Sequence, residues 1–98
     1  MKELKNLTFV EVMGSVENLD LSLGEAARYV HEACGGKDSN QLTEAQVGDY
    51  AKMFTIAAIE LGALEENRRR YISLSSILEF CREREDDLRG FIKEAGKN

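Results

Sequence analysis

The pair of residues best placed to do chemistry is His31 and Cys34, the single histidine and one of two cysteines in a chain of 98 residues. At i and i+3 on a helix they share a face, and an imidazole with a thiolate is a ligand combination that zinc accepts. A structural zinc site needs four ligands in a tetrahedron, and the chain adds only Glu32, which points elsewhere on the helix, and Cys81, far along the sequence. The expectation is no metal, with His31 at the surface beside a core cysteine. Two thiols without metal-type spacing also imply no disulfide, so Cys34 and Cys81 are expected to be buried and reduced.

Covalent catalysis would need a nucleophile, a base and an orienting acid that meet in a pocket. Ser73, Ser75 and Ser76 cluster, but their place between Ile72 and Ile77 is that of a helix cap. The acid pairs Glu65-Glu66 and Asp86-Asp87 fall on faces that also carry arginine, where solvated ion pairs are the usual outcome. Gly35-Gly36 has neither phosphate-loop spacing and follows a helix where such loops follow a strand. The residues assemble no catalytic set and imply no cofactor, so the chain reads as a protein that is not an enzyme.

Nucleic-acid binding rests on Arg68-Arg69-Arg70, the one basic run, which follows Glu65 and Glu66. Three bases are few beside the roughly six to ten phosphate contacts of a duplex binder. The net charge is −5; residues 1 to 62 hold the whole excess, while residues 63 to 98 balance eight acids with eight bases. The segment LSLGEAARYV resembles the first helix of a helix-turn-helix, but the turn that follows, residues 35 to 43, is too long for that motif. Direct nucleic-acid binding is accordingly not the leading expectation.

The elements that must position these residues are helices. Proline is absent, hydrophobic residues make up 43% and charged residues 32%, and no stretch alternates as a half-buried strand would. Three capping boxes mark helix starts, at Thr8/Glu11, Ser22/Glu25 and Thr43/Gln46, each preceded by a leucine (Leu7, Leu21, Leu42) that can staple onto the next turn. The pattern predicts helices over residues 9 to 18, 23 to 34 and 44 to 61, the last two ended by Gly35-Gly36 and Gly62. Residues 64 to 71 form a candidate short helix with Glu65/Arg69 and Glu66/Arg70 pairs. Ser73 caps a long last helix over residues 74 to 95, in which Glu85 interrupts the apolar stripe; a buried carboxylate is costly, so the helix is expected to project past the core around residues 82 to 89. The fold class is all-α, one compact domain of four to five helices over residues 1 to 98. No apolar stretch of secretory length opens the chain and no run reaches membrane-span length, so a cytoplasmic location is expected.

Some surface has no obvious structural use. Tyr29 lies on the polar side of the second helix with Glu25 and Glu32, and an aromatic residue on a charged face is of the kind enriched at interfaces. Ile56 and Ile59 lie away from the main stripe of the third helix, as core of a helix wrapped on both sides or as an interface. The acids Glu79, Glu83, Glu85, Asp86 and Asp87 could present a phosphate-like row to a basic groove, although Arg82, Arg84 and Arg89 interleave them as in a salt-bridged, solvated helix.

In its short, acidic, proline-free sequence and its capped helices, such as SLGEAARYVHEA and LTEAQVGDYAKM, the chain resembles the small helical proteins that phages encode against bacterial defences, anti-CRISPR inhibitors among them. The resemblance implies a cytoplasmic protein, in the host cytoplasm if phage-encoded, that binds a larger protein or nucleoprotein effector and obstructs it. The candidate partner-binding residues are Tyr29, Glu25, Glu32, Arg68, Arg69, Arg70, Glu83, Asp86 and Asp87. The alternative is a small transcriptional regulator or antitoxin that touches DNA through Arg68 to Arg70, as a homodimer through Ile56 and Ile59.

Overall fold

The computed structural model describes residues 6–17, 20–65 and 71–96. Among them are five α-helices, α1 (Asn6–Met13), α2 (Leu23–Ala33), α3 (Glu44–Glu60), α4 (Leu74–Glu83) and α5 (Glu85–Gly96), with one short 3-10 turn, Ser39–Gln41, between α2 and α3. The all-α class holds. The candidate helix at residues 64 to 71, with its glutamate–arginine pairs, falls largely outside the described residues, as do Arg68, Arg69 and Arg70.

Two of the three capping boxes form. The Ser22 hydroxyl accepts from the Glu25 amide at 3.2 Å and the Ser22 amide donates back to the Glu25 carboxylate at 3.0 Å. Thr43 and Gln46 exchange the same bonds at 3.1 and 2.9 Å. Each satisfies backbone donors that a helix start leaves without partners inside the helix. The third box does not open its helix: α1 already runs at Asn6, which puts Thr8 inside it. Nor does α1 reach residue 18. From Gly14 onward the chain tightens into i to i−3 bonds, and Val16 leaves to form an isolated parallel bridge with Ile72. A glycine with low helix propensity permits that exit.

Both glycine stops work as expected. Gly35 and Gly62 adopt φ of +86° and +108°, and each is followed by a bond reaching five residues back, Gly36 to His31 at 2.8 Å and Ala63 to Ala58 at 2.9 Å. This paired closure satisfies the last carbonyls of α2 and α3 and is open to glycine because it has no Cβ.

Helix α3 is the axis of the bundle, packing against α1, α2, α4 and α5. Its residues Met53 to Ala58 are all buried, with Phe54 stacked at a tilt on Phe9 of α1, ring centroids 5.8 Å apart. Ile56 is core, and Ile59 packs against the core while staying partly exposed. The hydroxyl of Thr55, buried among them, is satisfied by the Ala51 carbonyl at 2.9 Å.

The expected long last helix is two helices. The chain breaks at Arg84, and α5 turns back onto α3 and buries Leu88, so this region does not project past the core. The carboxylate that made projection the expectation is accommodated differently: Glu85 accepts from Arg89 Nε at 2.8 Å within the first turns of α5 and stays half-exposed. An ion pair one helical turn apart removes the cost of a lone buried charge. No helix among the described residues is long and apolar enough to cross a membrane.

Candidate functional site

Two polar constellations stand out. The first is internal and joins three helices. His31 is not at the surface as expected; it is 9% exposed, its ring set edge-on against Tyr50 of α3 with centroids 5.1 Å apart. Gly36 closes over it, for a Cβ built there would come 2.2 Å from His31 Nε2. Tyr50 is also held from α5, where Arg89 donates to the phenol oxygen at 2.9 Å and lies 5.2 Å from the ring centroid. Glu85 completes the chain through Arg89, whose protonated form is favoured first by the bond to Glu85 and then by the bond to Tyr50.

The cysteines belong to the same region. Cys34 Sγ reaches the Cys81 carbonyl oxygen at 3.9 Å and Cys81 Sγ reaches that of Met53 at 3.7 Å, both at the long end of sulfur hydrogen bonding. Both thiols are free, Cys81 buried as expected and Cys34 half-buried, which corrects the expectation for the latter. Burial pushes Cys81 up to about 12, with the neighbouring Cys34 adding to the effect. Burial also raises Cys34, and the Glu85 carboxylate beside it raises it further. Such thiols are poor nucleophiles because the thiolate does the attacking. His31 Nδ1 is buried without a hydrogen-bond partner among the described residues, and no group of three or more metal-ligand types gathers around it there. Through His31, Tyr50, Arg89 and Glu85 the cluster joins α2, α3 and α5.

The second constellation is external and contains three of the sequence-derived candidates. Glu25, Tyr29 and Glu32 follow one another at i, i+4 and i+7 along the exposed side of α2. Tyr29 is 42% exposed, so its ring is available as contact area. Glu25 is held by the Ser22 cap, whose backbone and side-chain bonds keep its carboxyl below the usual carboxylate range. Glu32 accepts from the Ser39 hydroxyl, which ties the 3-10 turn to α2. Between that turn and the start of α2 lies a groove of about 310 Å³. Its rim carries Ser22, Glu25, Arg28 and Ser39, and its floor is Leu42 and Val47, the staple pair at the start of α3. Of the sequence-derived candidates Glu25 lines this groove, and Tyr29 and Glu32 do not; the groove itself was not foreseen. The staple itself was the available signal, since two apolar residues flanking a cap must lie against something.

The remaining candidates lie apart from this face. Glu83, Asp86 and Asp87 are exposed around the break at Arg84, and Phe91, one turn beyond Asp87, is 55% exposed. That junction sits at the C-terminal end of α2, where Glu85 meets Cys34, whereas the groove is at its N-terminal end. The capping serines expected at α4 do cap it, Ser73 accepting from the Ser76 amide at 3.1 Å. Ser75 and Ser76 also line a shallow depression of about 410 Å³ with Ala33, Leu78, Glu79 and Arg82.

No protein-family model matches the chain, and no curated protein or solved structure matches it.

Proposed function

We propose that this chain is a non-enzymatic, protein-binding inhibitor that attaches to a larger protein or nucleoprotein effector and obstructs it. The observation that carries the reading is the outer face of α2, where the exposed ring of Tyr29 stands between two carboxylates that the fold itself holds in place. A tyrosine fixed on a helix offers contact area at low cost in side-chain entropy, and preorganised charges beside it favour one partner over others. Most of the chain's charge excess lies in the same stretch: residues 20 to 49 hold six acids against two bases, within a net charge of −5. An acidic surface of this kind suits an effector whose working surface is basic, such as one that binds nucleic acid.

The test has two parts. The tagged chain, cross-linked in its native host, is purified and its partners are identified by mass spectrometry. The partner's nucleic-acid binding is then titrated with wild-type chain and with Tyr29→Ala. A partner whose activity falls with the wild type and recovers with the variant is the expected result. A gel shift in which the chain alone binds duplex DNA tightly and releases it steeply with salt would sink the inhibitor reading in favour of a regulator.

A further inference from the structure

We draw no further inference here: the strongest candidate, the groove between the start of α2 and the 3-10 turn, sets one acid, Glu25, against one base, Arg28, above the half-buried Leu42 and Val47, and nothing in the structure shows what covers it.

Discussion

Gly36 is the residue on which the internal cluster depends most directly. A methyl group there would fall on a histidine ring that is 9% exposed and packed against Tyr50, so it has no free direction in which to yield. Gly36→Ala should destabilise the fold by about 1–3 kcal/mol, the usual range for overpacking a filled site. At about 4–8 °C per kcal/mol for a domain of this size, a thermal melt reads this as a clear drop. Unchanged melting would mean that His31 swings out freely and does not pin the joint. The thiols give a second measurement at the same scale. With Cys81 pushed up to about 12 and buried, and Cys34 raised but half-buried, an aromatic disulfide reagent should label Cys34 slowly and Cys81 only once denaturant opens the fold. Rapid labelling of both in native buffer would contradict this packing.

At the scale of elements, the start of α2 couples structure to acidity. The Glu25 carboxyl is lowered in the folded chain by its backbone and side-chain bonds to Ser22. A lowered folded value means that its stabilising contribution is complete above the ordinary carboxylate range and is lost as pH falls through the folded value. Urea unfolding of wild type and Glu25→Gln at a series of pH values should give a difference that is full near neutrality and vanishes in acid. A constant difference across pH would assign the effect to the cap's hydrogen bonds alone.

The capping signals at Ser22, Thr43 and Ser73 were legible in the sequence because a cap is a contract between residues three apart, and so were the glycine stops after α2 and α3. The break at Arg84 was not. The apolar stripe of α4 continues in phase into α5, and what divides them is the tertiary option of folding Leu88 onto α3, with Arg89 tied to Tyr50. Burial of His31 was hidden for a similar reason, since it follows from where Gly36 and Tyr50 arrive in space. On the candidate site, the Glu25, Tyr29 and Glu32 face could be read from helical spacing alone, whereas the Ser39 contact and the groove depend on how the loop returns.

For the whole molecule, charge and packing are distributed unequally. The N-terminal part holds the negative excess and the groove, while the joint of His31, Tyr50, Arg89 and Glu85 fixes α5 against the central helix. The groove thus lies at the start of α2 and the joint at its end. The isolated bridge adds something different. Glu17 donates to the Ile72 carbonyl and Ile72 donates to that of Ser15, both at 2.9 Å, between points far apart along the chain. Two hydrogen bonds that clasp so long a loop must meet its closure entropy together, so they are gained late and surrendered early. The amides of Glu17 and Ile72 should therefore exchange with solvent deuterium at one shared opening free energy, below that of the Phe54 and Ala57 amides in α3. Ligand binding elsewhere would leave that clasp as the first seam through which the fold comes apart, and α1 as the first helix to go.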